Sequence, residues 1–84
     1  MKTREEIEER IEDWKSDLIH YKHINPSHYK GYAQSVRMVM NELKWAQKHT
    51  EEQIEARLER MESVSGMELR VLLLEWVLEN KKRL

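Results

Sequence analysis

Apolar positions recur along most of the chain at three- and four-residue spacing, and the breaks between the runs define four helices. Ile7, Ile11, Trp14, Leu18 and Tyr21 follow a 4-3-4-3 spacing. That places them on one seam and predicts a helix from about Arg4 to Lys22. Thr3 stands before it and Glu6 three residues later, the two members of a capping box. Ile24-Asn25-Pro26-Ser27 breaks the pattern. Asn25 is placed to cap a second helix with Pro26 at its first position, and Ile24 and Tyr29 to staple its start. The second helix carries a stripe of Tyr29, Tyr32, Val36, Met40 and Leu43, widened by Val39 and Ala46. Met38 and Trp45, seven residues apart, lie on nearly the opposite side.

A third run, Ile54, Leu58 and Met61, follows Thr50, with Gln53 completing a second capping box. Neither Gly nor Pro occurs between Gly31 and Gly66, and the second stripe runs nearly in phase into the third. One unbroken helix of about 36 residues therefore competes with a break at Thr50. Ser63-Val64-Ser65-Gly66 reads as a turn. The fourth helix runs from about Met67 to Lys82. Met67, Val71, Leu74 and Leu78 form one stripe, and Leu69, Leu72, Leu73, Trp76 and Val77 cover most of the other side. A helix apolar nearly all round is expected to be buried nearly all round.

The break at Thr50 is favoured by an internal repeat. Thr3 to Trp14 and Thr50 to Met61 are identical at six of twelve positions. Each is followed by a helical pattern that reaches Leu43-Lys44-Trp45 or Leu74-Glu75-Trp76. Thr3 can only begin a helix, so its counterpart Thr50 should too. The expectation is an all-α single domain, residues 1–84, of two unequal αα-hairpins, about 3–48 and 50–82, forming a small helical bundle. The first hairpin is longer by about 16 residues, centred on His20 to Tyr32. A single bundle buries one stripe per helix. The surplus residues Met38, Trp45, Leu69, Leu72 and Trp76 are therefore expected in the interface of a symmetric homodimer.

Composition fits this picture. Apolar residues make up 39% and charged residues 37% of the 84 residues, which excludes disorder yet requires a wet face on each helix. The absence of cysteine excludes disulfides and thiolate zinc sites. The start of the chain has no apolar signal stretch, and the longest apolar run, Val71 to Leu74, is too short to span a bilayer. The expectation is a cytoplasmic protein without membrane contact. Net charge is −1 but segregated. Residues 1–19 sum to −3, residues 20–49 to +4, residues 50–79 to −5 and residues 80–84 to +3. The simplest account is a basic second helix lying against acidic first and third helices; the functional account is a basic surface for an acidic partner.

The extra length of the first hairpin holds all three tyrosines, three of the four histidines, and Lys22 and Lys30. Tyrosine offers large contact area at low entropic cost, so His23, His28, Tyr29, Lys30 and Tyr32 are the candidate partner-binding set. The competing account has Tyr21, Tyr29 and Tyr32 closing the hairpin core while the histidines are solvated. Asp17, His20 and His23 are metal-ligating types, but their i, i+3, i+6 spacing drifts around a helix and matches no ligand motif. Glu5-Glu6-Ile7-Glu8-Glu9 resembles the bare carboxylate pattern of some helical metal-dependent nucleotide pyrophosphatases. Such sites need a second acidic helix, and the second helix has only Glu42. No catalytic set, cofactor motif or metal site is called for. The reading is a small non-catalytic protein that binds another macromolecule as adaptor, inhibitor or regulatory subunit and acts as a homo-oligomer. The alternative is nucleic-acid binding through the second helix, where Lys30, Arg37, Lys44 and Lys48 share one sector, together with the tip.

Overall fold

Thr3 and Thr50 each start a helix as their neighbours predict. In the computed structural model, which describes residues 1–79, helix α1 spans Arg4–Ile24 and helix α3 spans Glu51–Glu62. The Thr3 hydroxyl accepts from the Glu6 amide, and the Glu6 carboxylate accepts from the Thr3 amide. Thr50 and Gln53 repeat this pairing. These bonds satisfy amides that the first helical turn leaves without partners. Helix α2 spans Tyr29–Gln47 and stops short of Thr50, so the continuous-helix reading is excluded. Replacing Thr50 with Ala should lower stability by about 1 kcal/mol, measured as a shift in urea midpoint. An unchanged midpoint would mean that the cap contributes nothing at this junction.

The start of α2 differs from expectation. Asn25 terminates α1, its amide bonding back to the Tyr21 carbonyl. Residues 26–28 form a turn instead of a first helical turn. The chain must reverse direction here, and the amides of His28 and Tyr29 close this turn on the carbonyls of Asn25 and Pro26. Ile24 is exposed, so it does not staple the helix start. Helix α4 spans Glu68–Leu78. It follows a turn in which Gly66 has φ +89°, a left-handed conformation that costs glycine little. The helix ends at Leu78, where Glu79 takes a left-handed conformation, φ 56°, short of the expected Lys82; the positions after Glu79 lie outside the described residues.

All four elements are helical, with no strand among the described residues. Helix α2 packs on α1 and on α4, and α3 packs on α4, giving a small bundle with α2 and α4 at its centre. Ile7, Ile11, Val36, Leu43, Ile54, Leu58, Leu74 and Val77 form the dry middle. The seam of α1 is buried only as far as Ile11. Trp14, Leu18 and Tyr21 are half-buried, because α1 and α2 outreach the shorter hairpin there. Helices α1 and α2 have 21 and 19 residues, against 12 and 11 in α3 and α4. The difference is about 12–13 Å of helix. The radius of gyration, 13.8 Å, exceeds the roughly 12 Å of a compact chain this long, as a projecting arm requires. Helix α4 is not buried all round. Leu69 and Leu72 are 42% and 64% exposed, since α2 and α3 cover its other sides and leave this edge open.

Candidate functional site

The projecting arm, roughly residues 15–32, is braced from within. The rings of Tyr21 and Tyr32 stack with centroids 4.0 Å apart. The Tyr32 hydroxyl donates to the Asp17 carboxylate. That bond, more than burial, raises the tyrosine above its ordinary pKa, because ionisation would set two negative charges together. Lys22 places its ammonium 5.4 Å from the Tyr29 ring centroid. Of the five residues read as a partner site, His23, His28 and Lys30 are exposed, while Tyr29 and Tyr32 are half-buried in these contacts. Ile19 and Ile24, 64% and 63% exposed, lie on the same arm. Sequence reasoning passed over Ile19 and gave Ile24 only a structural role, as a staple. The signal was there for Ile19, an apolar residue that falls outside the 4-3-4-3 seam of its helix. Among the described residues, no three His, Cys, Asp or Glu side chains gather as a metal site would need, and Asp17 is engaged by Tyr32.

Two arginine–tryptophan contacts bridge the hairpins reciprocally. Arg10 of α1 lies 5.7 Å from the Trp76 ring of α4 and 5.8 Å from Trp14. Arg57 of α3 lies 4.5 Å from the Trp45 ring of α2. Lys2 adds a second cation over Trp76, and His49 stacks on the other tryptophan at 4.0 Å. Each arginine belongs to one hairpin and each tryptophan to the other. Of the expected interface set, Trp45 and Trp76 are thus half-covered by cations of their own chain, and Met38 is half-buried. Leu69 and Leu72 remain the open members.

Glu42 is the acid that sequence reasoning valued least. Its side chain is only 4% exposed. It accepts two hydrogen bonds from Arg57, at 2.6 and 3.1 Å, and Arg70 of α4 approaches to 4.0 Å. The hydrogen bonding raises the pKa of Arg57. This buried group ties α2, α3 and α4 together. Glu42 is consumed by it and cannot face the α1 carboxylates as a second acidic wall.

Among the described residues, the basic side chains of α2 do not make the expected pairs with acidic α1 and α3. Lys30, Arg37, Lys44 and Lys48 are all exposed. None pairs with a carboxylate among the described residues, where the ion pairs involve Met1, Lys2, Lys15, Arg57 and Arg70. These four residues flank the buried stripe of α2 on one side, and Glu8 of α1, which does reach α2, is bonded by Gln47 instead. The chain's own pairs serve other ends. Lys2 and the N-terminal amine hold Glu79 at the end of α4, and both lower its pKa, Lys2 the more. No described helix is long and apolar enough to cross a membrane. Compared with protein-family models, with curated proteins and with solved structures, the chain gives no match.

Proposed function

We propose that this chain is a non-catalytic binding module, an adaptor, inhibitor or regulatory subunit, built from a duplicated helical hairpin whose longer copy carries the partner-contacting arm. The observation that carries this reading is the arm itself. It puts no fully buried residue in the core, where only Leu18 and Tyr32 pack against the edge, yet a tyrosine stack and a hydrogen bond to Asp17 hold it in shape. It also keeps Ile19 and Ile24 nearly two-thirds exposed. Apolar side chains kept open on a braced projection suit a docking contact, because rigidity reduces the entropy lost on binding. His23, His28, Tyr29 and Lys30 add polar groups on the same arm. The duplication is supported by the repeated twelve residues, by the two like caps and by the reciprocal arginine–tryptophan contacts. In this reading the two hairpins stand as halves of a fused pair.

Comparative affinity capture from the source cell tests the arm. The intact chain should retain a protein that an Ile19→Asp, Ile24→Asp variant loses, with the melting temperature unchanged. Identical captures would overturn the assignment.

The open edge of α4 is assigned to a second copy of the chain. Leu69 and Leu72 are adjacent on one helical face and continuous with half-buried Trp76, and a symmetric pairing of this edge would cover all three. Sedimentation at tens of micromolar should give twice the 10.3 kDa chain mass, and Leu72→Glu should return the monomer. A monomer in both cases would remove the dimer and leave the arm untouched.

A further inference from the structure

The outer face of α2 carries an unbroken polar line. Lys30, Gln34, Arg37, Asn41, Lys44 and Lys48 follow a 4-3-4-3-4 spacing, and all six are exposed. The line contains no carboxylate and extends about 27 Å. The one acid of its helix, Glu42, is turned inward and held by Arg57, so nothing on α2 cancels the four cations. We propose that this line binds duplex nucleic acid, as a second surface that shares Lys30 with the arm but none of its exposed apolar residues.

Three observations support that partner. Packing does not dictate the charge. In the register that pairs Trp45 with Trp76, the counterparts of Arg37, Lys44 and Lys48 are Glu68, Glu75 and Glu79. The same helical sites in the other hairpin thus take the opposite sign. The residue types also fit a groove. Lysine and arginine neutralise phosphates or reach guanine, and Gln34 and Asn41 between them are the amides that pair with adenine in the major groove, which admits an α-helix. Finally, single strands are disfavoured as ligands. Binding them relies on free aromatic faces, whereas Tyr21 and Tyr32 are stacked on each other and Tyr29 lies under Lys22.

Fluorescence anisotropy with a labelled 20-base-pair DNA duplex tests this, at salt from 50 to 200 mM and with the unmodified chain. Four phosphate contacts predict a slope of log K against log salt near −3.6, at about −0.9 per contact. The Arg37→Gln, Lys44→Gln variant should reduce the slope by about 1.8 and weaken binding at every salt. Arg60→Gln with Lys15→Gln, the same charge change on exposed sites elsewhere, should leave the slope unchanged. Circular dichroism of each variant separates lost binding from lost folding. The proposal is overturned by no binding at 50 mM salt, or by equal loss in both double variants. It is also overturned by a polyglutamate competitor as effective as unlabelled duplex, which would make the partner an acidic protein. Salt-sensitive self-association that accounts for the anisotropy change would overturn it too, since the line would then be docking on acidic α4 of another copy. Arm variants at Ile19 and Ile24 should bind duplex normally, so failure of either assignment leaves the other standing.

Discussion

Leu43→Ala and Leu58→Ala should each lower the unfolding free energy by about 2–5 kcal/mol. Both side chains are fully enclosed, Leu43 in α2 and Leu58 in α3. Each truncation removes apolar surface from the core and leaves a cavity that helices tied by short turns can only partly close. An 84-residue domain holds on the order of 4–13 kcal/mol in total, so either change takes a large share. Glu9→Gln and Glu12→Gln should stay within about 0.5 kcal/mol. Both residues are exposed, and the Glu12 contact with Lys15, at 3.2 Å, is a surface pair that contributes little. Urea melts of the four variants check the order. A reversed ranking would mean that α2 and α3 are rotated from the phases described.

Arg57→Ala should cost about 3 kcal/mol, at the lower end of what breaking a buried ion pair does. The change removes both hydrogen bonds from the Glu42 carboxylate, which is 4% exposed. It also uncovers the Trp45 ring. Two features keep the cost from the upper end. The Arg57 side chain is itself about a third exposed, and Arg70 stands 4.0 Å from Glu42 as a partial substitute. Adding Glu42→Ala should then cost less than in the unmodified chain, by about 1–2 kcal/mol, as expected for groups in one network. A coupling near zero would mean that water reaches the pair freely and that α2, α3 and α4 are held by apolar packing alone.

The local signals were legible in the sequence because they act within one helical turn. Thr3 with Glu6, Thr50 with Gln53, the Gly66 turn and the apolar phases of α1, α2 and α3 depend on nearest neighbours and helical period. The structure repeats them nearly residue for residue. The break at Thr50 was decided in the same way, by the twelve residues that Thr3 and Thr50 share. Where the prediction failed, the deciding partner was distant along the chain. Pro26 suits a first helical position in isolation, but closing α2 back on α1 needs a turn there, and α2 begins at Tyr29. Helix α4 is apolar on nearly every side, yet only tertiary packing determines which sides meet α2 and α3 and that Leu69 and Leu72 stay open. Segment charges of −3, +4, −5 and +3 invited pairing between helices. A charge sum carries no direction, and the fold turns the cations of α2 outward while drawing its one acid, Glu42, inward to Arg57. The sequence by itself determined where α1 and α3 start and which stripes α2 and α3 bury, since those follow from a 3.6-residue period and short-range hydrogen bonds. Tertiary structure alone decided which charges cancel, which tyrosines are used up inside the arm and which apolar residues are left for a partner, because each depends on what another helix covers.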